Sequence, residues 1–406
     1  MRKARRRDRR RELYYITGLE NLESILSSGI LSRDEVEKLG LDFIDIADKG
    51  IVGKRRKKGL SRYANLYIYP RNAMMYRLSR ERKDKLIVIG VDAEVSKKKG
   101  SKVSIGNAAS DYSVLLDPDD VYLTKLFEKV RDIRDWYSEE AIINIKPFVK
   151  KSKLPFSSAE YLFPKTFLQS EVLVPKRVPK KYIRAIYVPN ENLKEKILPS
   201  VKELLKGIEV IVDPDLFFEP RRKVEIYPNL YIVEGDMFDS EMQTLTISVN
   251  TVGVMGKGLA SRFKYMYPGA FLVYQSIVRR KILRPGRPYL YKPESHNGER
   301  WFLFFPTKRH WREKSNLKMI CEGLKWFLKF YREEGVKSIA FPALGCGLGG
   351  LKWEQVGPVM VNYLKDIGIP VEIYVPINDL KDEYFERSFY ERGVKGCEDL
   401  FSGLQR

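Results

Sequence analysis

From residue 229 to the C-terminal region, uninterrupted apolar runs alternate with stretches of helical periodicity, and few folds accept that pattern. The runs are NLYIVEG (229–235), TLTISVN (244–250), RWFLFFP (300–306), SIAFPAL (338–344) and VEIYVPI (371–377). Helical spacing fills about 258–281, 316–335 and 351–367. In NLKMICEGLKWFLKFYREEG, for example, Leu317, Ile320, Leu324, Leu328 and Tyr331 fall on one face. A strand apolar on both faces must be covered on both, so this half predicts a three-layer α/β domain with a largely buried sheet.

The first half is patterned differently. Strands are predicted at ELYYIT (12–17), ANLYIYP (64–70), KLIVIGVDA (85–93), SEVLVP (170–175) and YIRAIYVP (182–189), with a helix over 18–31 that Gly29 ends and another around 119–137. A polar, lysine-rich stretch covers 47–62. Short strands with few long helices predict an α+β domain. The segment IEVIVDPDLFFEPRRK, with two prolines and a charge cluster, marks the junction. The boundaries are an arm over 1–10, a first domain over 11–208, a linker over 209–223, a second domain over 224–380 and a tail over 381–406.

A chain of 406 residues supports two cores. It carries 74 Lys and Arg against 53 Asp and Glu, a net charge of +21. Such an excess draws polyanions through counterion release, although a solvated lysine-rich surface accounts for it about as well. The arginines of the N-terminal arm favour nucleic acid. Three cysteines and two histidines predict neither a disulfide framework nor a metal site, and no run is long and apolar enough for a membrane span. The expectation is a cytoplasmic protein with no membrane partner.

Two glycine loops carry the chemistry of the second half. SVNTVGVMGKGLA follows an apolar strand and opens a helix, but its glycine spacing is too short for a nucleoside-triphosphate loop, and Gly258 stands where the magnesium-binding hydroxyl belongs. FPALGCGLGGLKW repeats the strand–glycine–helix arrangement. Two such loops at the carboxyl ends of strands in one sheet suit a diphosphate held between backbone N–H groups.

With Gly235-Asp236, these two loops resemble a macrodomain, the ADP-ribose-binding fold, and more narrowly the DarG-type group that removes ADP-ribose from nucleic acid. The resemblance spans about 224–380. It implies that Asp236 accepts from the adenine amine and that Gly253, Gly256 and Gly258, with Gly345, Cys346, Gly347 and Gly349, clasp the diphosphate. Asn250, and more weakly Asn316, would serve the distal ribose or the base. The group's catalytic lysine falls on Lys308 in FFPTKRHW, where its amine would attack the anomeric carbon. Some relatives carry an aspartate where this chain has Gly349, so Lys308 bears more of the chemistry here.

In the first half, LYYIT, ANLYIYPRNAMMYRL (64–78), GNAAS (106–110) and LPFSSAEYLFPKTFLQSEVLVP (154–175) resemble, in order and spacing over about 11–210, the DarT family, which ADP-ribosylates single-stranded DNA using NAD. Glu171, a carboxylate opening an apolar strand, would stabilise the cationic ribose left when nicotinamide departs. Arg71 would orient NAD or activate the base, and Tyr15, Thr17 and Asn107 would line the NAD site. The family's histidine two residues before the threonine is Tyr15 here, and His296 and His310 lie in the other domain. Arg62, Tyr63, Arg77 and Arg80 would hold DNA phosphates and stack bases; a solvated basic face accounts for them nearly as well. The family's target is thymine in its best-known branch and guanine in another.

Taken together the chain resembles a fused DarT–DarG toxin–antitoxin protein. Its substrates would be NAD, single-stranded DNA and the ADP-ribose adduct, with no metal, and its antitoxin half would also restrain the toxin within the chain. Two other readings remain open: an ADP-ribose reader with an inactive transferase half, and a transferase acting on RNA or protein.

Overall fold

The computed structural model describes residues 12–118, 166–204, 207–294, 300–376 and 380–391. The chain divides between Glu219 and Pro220 into two units, each with its own sheet.

The first unit contains β1 (Glu12–Gly18), β2 (Ile30–Leu31), β3 (Tyr63–Tyr67), β4 (Leu86–Asp92), β5 (Lys102–Ile105), β6 (Val114–Leu116), β7 (Glu171–Pro175), β8 (Arg177–Val178), β9 (Ile183–Val188) and β10 (Glu209–Val212). Its helices are α1 (Leu22–Ser28), α2 (Arg33–Leu39), α3 (Lys49–Lys57), α4 (Ala73–Glu81) and α5 (Glu191–Val201). Eight strands form a mixed sheet in the order β10-β9-β4-β1-β3-β7-β5-β6. Side chains alternate across a strand: Ile87, Ile89 and Val91 pack under α1 and α5, while Leu86 and Val88 face α4 on the other side. Gly29 ends α1, as expected, with φ 82°. The lysine-rich stretch around residue 50, predicted only as polar, forms α3, capped by the Asp48 side chain accepting from Ile51 N–H (3.1 Å). The helix expected around 119–137 and the arm over 1–10 lie outside the described residues.

The expected linker over 209–223 is corrected. β10 pairs in parallel with β9, and the 3-10 turn Pro214–Phe217 buries Leu216 and Phe217 in the first unit's core.

The second unit contains β11 (Arg222–Tyr227), β12 (Leu230–Glu234), β13 (Thr244–Asn250), β14 (Tyr289–Tyr291), β15 (Trp301–Lys308), β16 (Ile339–Pro342) and β17 (Val371–Tyr374), with α6 (Gly258–Met266), α7 (Pro268–Arg279), α8 (Leu317–Phe330), α9 (Trp353–Leu364) and α10 (Arg387–Glu391). The sheet order is β11-β12-β17-β16-β13-β15-β14, parallel from β12 to β15 with antiparallel edges. Both faces are covered, as the apolar runs require. Phe302 and Phe304 pack with Phe263, Phe271 and Tyr274 of α6 and α7, while Leu303 and Phe305 pack with Ile320, Leu324 and Val356 of α8 and α9. The expected tail is corrected for its described part: Tyr384, Phe385, Phe389 and Tyr390 are buried in the same core as Trp353, and Lys381 and Tyr384 both bond Glu354 of α9.

Candidate active sites

In the first unit, a cavity of about 380 Å³ opens beside β1 and β3. Its walls include Tyr15, Thr17, Asn21, Arg33, Arg55, Tyr63, Tyr67, Arg77, Asn107 and Gln169. Thr17 is buried on β1, and its hydroxyl accepts from Asn21 Nδ2 (3.1 Å). The same amide donates to the Ile44 carbonyl (2.9 Å), and Asn21 Oδ1 accepts from Ile44 N–H (2.8 Å). Asn21 thus fastens the 41–48 loop over the cavity. Arg33 holds the loop a second time, pairing with Asp45 (2.8 Å) and lying over the Phe43 ring (5.4 Å).

Glu171 opens β7 and is fully buried, opposite Tyr67 of β3. Its carboxylate pairs with Arg55 of α3, and its Oε1 accepts from Ala108 N–H (3.3 Å). A buried carboxylate needs such partners, because an unpaired one carries a large desolvation penalty. Burial, with the Glu171 charge second, pushes the Tyr67 phenol well above its ordinary value. Burial, with Asp45 second, pushes Tyr15 up to about 12. Both phenols therefore stay protonated and serve as hydrogen-bond donors at neutral pH.

In the second unit, β13, β15 and β16 end at one edge, which α6 and the two glycine loops share. Asn250, paired in register with Lys308, spends its side chain on the first loop. Its Nδ2 donates to the Val254 carbonyl (2.6 Å), and its Oδ1 accepts from Val252 N–H (3.1 Å) and Tyr274 Oη (3.2 Å). Gly256 and Gly347 face open space, while a side chain added at Gly258 would meet Leu348 at 3.7 Å, so the two loops approach each other. Lys308 Nζ donates to the carbonyls of Glu313 and Leu348 (both 3.3 Å), which places the amine against the second loop. Asp236 carries Arg262 on both oxygens (3.0 and 2.7 Å) and accepts from Phe238 N–H (3.1 Å). Cys346 is half-buried, and burial, with Glu354 second, pushes its thiol up to about 12, which leaves it protonated and inert.

Residues 14–218 match the family described as "ssDNA thymidine ADP-ribosyltransferase, DarT", and residues 248–360 match the macrodomain family. The chain is 41% identical to a "DNA ADP-ribosyl transferase-DNA ADP-ribosyl glycohydrolase fusion protein" of Thermosipho africanus, over 90% of this chain and 94% of that one. The structure of Thermosipho africanus DarTG in complex with ADP-ribose superposes with a TM-score of 0.78 at 40% identity, covering 94% of this chain and all of that one.

The chain belongs to the DarT–DarG fusion family.

A Thermus aquaticus DNA ADP-ribosyl glycohydrolase is also similar, 37% identical over 37% of this chain and 42% of its own. Within the DarT-like unit, Tyr15, Thr17 and Asn107 line one cavity, with Glu171 paired to Arg55 of its wall. Arg71, expected at the same site, is buried, donates to the Asp215 carbonyl and lies over Phe218 at 4.3 Å, directly before the cavity-lining Asn72 and Ala73. It fastens the end of the first unit to α4. Arg55 is the cation beside Glu171, and sequence reasoning missed it because it stands in the run Lys54-Arg55-Arg56-Lys57-Lys58 with nothing to single it out. Asn21 was missed as well; its one signal is an amide within an otherwise apolar-faced helical stretch.

Of the residues expected to meet DNA, Tyr63 and Arg77 line the cavity. Arg77 also pairs with Glu81 (2.6 Å) and donates to the Ile46 carbonyl (3.2 Å). Arg62 lies over Tyr63 (5.1 Å) and Arg80 over Tyr76 (3.7 Å).

In the DarG-like unit, Gly253, Gly256, Gly258, Gly345, Gly347 and Gly349 all fall in the two facing loops, and Asn250 braces the first of them through Val252 and Val254. Asn316 caps α8, its Oδ1 accepting from Lys318 N–H (2.8 Å). The departure at Gly349 has a steric cause: a side chain there would overlap Ser315 Oγ and the Gly345 carbonyl.

Proposed function

We propose that the first unit transfers ADP-ribose from NAD to thymine in single-stranded DNA and that the second unit hydrolyses it off again. The observation that carries the first half of this reading is the buried Glu171–Arg55 pair beside a cavity large enough for part of a dinucleotide. NAD enters against Arg55; a ribose hydroxyl displacing that guanidinium leaves the Glu171 carboxylate facing the developing cation. Nicotinamide departs with the bonding electron pair, and the base nitrogen of the strand bonds the anomeric carbon, giving up its proton to water. Tyr15 and Thr17 position the nicotinamide ribose from β1.

In the second unit the diphosphate sits between the α6 N-terminus and the 345–350 loop. The Lys308 amine, once neutral, attacks the anomeric carbon; the base leaves with the electron pair and takes up a proton. The ribose ring opens to an imine, which water hydrolyses to ADP-ribose and free lysine. The one chain supplies the two domains in equal numbers.

The test is incubation of the full chain carrying Lys308→Ala with NAD and either a thymidine-containing single strand, RNA or protein extract. Label on the single strand supports the reading, and label confined to RNA or protein overturns it. Lys308→Ala must also retain ADP-ribose binding while losing release of ADP-ribose from the strand.

A further inference from the structure

The loop leaving β15 carries an aromatic surface that the glycohydrolase chemistry leaves unused. Three residues beyond Lys308, Trp311 is 46% exposed, a large cost for an indole with no described partner burying it. The His310 ring lies beside it with centroids 5.4 Å apart and planes 34° apart, and the Arg312 guanidinium sits 4.6 Å from the indole centroid.

The loop is held in place. Thr251 N–H and Oγ1 both donate to the Arg309 carbonyl (3.0 Å each), and Glu313 N–H donates to the His310 carbonyl (3.1 Å). His310 N–H donates to Glu313 Oε2 (3.3 Å), Arg312 N–H to His310 Nδ1 (3.3 Å), and Asn316 N–H to the Thr307 carbonyl (3.1 Å). Lys308 Nζ joins the same loop through the Glu313 carbonyl. The loop backbone that carries the two tilted rings is therefore held relative to the amine, with the Arg312 guanidinium beside the indole. An exposed indole with a guanidinium beside it matches a nucleobase and its phosphate.

We propose that Trp311, supported by His310 and Arg312, stacks a base of the single strand neighbouring the ADP-ribosylated one, so that the second unit reads a strand rather than a lone modified nucleoside. This rests on the glycohydrolase reading above. The platform positions the substrate and takes no part in bond breaking.

The test compares ADP-ribose release by the full chain, without NAD, from an ADP-ribosylated single-stranded oligonucleotide and from ADP-ribosylated thymidine. Trp311→Ala raises KM for the oligonucleotide by about 5- to 150-fold, the range of losing one stacked base. It leaves kcat, and the nucleoside reaction, unchanged. Trp311→Phe recovers most of the oligonucleotide KM. Equal loss on both substrates, or no change on either, overturns the platform. If the unaltered chain releases ADP-ribose from neither substrate, the glycohydrolase reading itself fails and the platform with it.

Discussion

Removing Arg55 isolates the energetic core of the first site. Glu171 is fully buried, and its ion pair with Arg55, only 14% exposed, compensates most of the carboxylate's lost hydration; Ala108 N–H supplies one further bond. Arg55→Ala leaves a buried carboxylate without its cation, at a cost of about 3–5 kcal/mol. For a unit of this size each kcal/mol lowers Tm by about 2–4 °C, so the first unit's transition falls by about 6–20 °C. Glu171→Gln costs less, about 1–3 kcal/mol, because the guanidinium left behind lines the cavity and reaches water. The double variant Arg55→Ala with Glu171→Gln removes the stranded charge and melts no lower than Arg55→Ala alone. Thermal unfolding of the full chain, followed by calorimetry so that the two units are resolved, provides the measurement. Strict additivity of the two single losses would show that the pair contributes nothing as a pair, and would refute the reasoning.

Gly349→Ala destabilises the second unit by about 1–3 kcal/mol through the clash with Ser315 and Gly345, and weakens ADP-ribose binding by isothermal titration. Unchanged affinity would separate that loop from the ligand. Acid loosens the C-terminal segment from α9. Lys381 first, then the α9 backbone, holds the Glu354 carboxyl down at about 2, so its stabilisation is complete above the ordinary carboxylate value and is lost as pH falls from about 4.3 through about 2. Glu354→Gln removes that part of the pH dependence of Tm, and an identical pH profile in the variant would contradict it; both groups are over a third exposed, so the effect is small and shrinks with salt.

The second unit was legible because parallel strands covered on both faces are written as unbroken apolar runs. Its edges were not. RKVEIY of β11 alternates exposed and half-buried residues, and its charges read as a junction until pairing with β12 is seen. The same holds for β10, a partly exposed edge strand whose EVIV is followed directly by Asp213-Pro214. In the first site, Glu171 stood out because a carboxylate is unexpected in an apolar strand. Its partner did not, since α3 has no buried apolar residue and tertiary packing alone selects Arg55 from a row of cations. The contacts of Arg71 were not legible either, since Asp215 and Phe218 lie more than 140 residues away in sequence.

The central claim is that one chain both writes and erases ADP-ribose on DNA, through Glu171 and Lys308 respectively. Its most direct measurement follows one labelled thymidine-containing strand through two variants of the full chain. With NAD, Lys308→Ala accumulates ADP-ribosylated strand; after NAD is removed, adding Glu171→Ala returns the strand to its original mass and releases free ADP-ribose. Failure of the first variant to modify the strand, or of the second to restore it, would contradict the account.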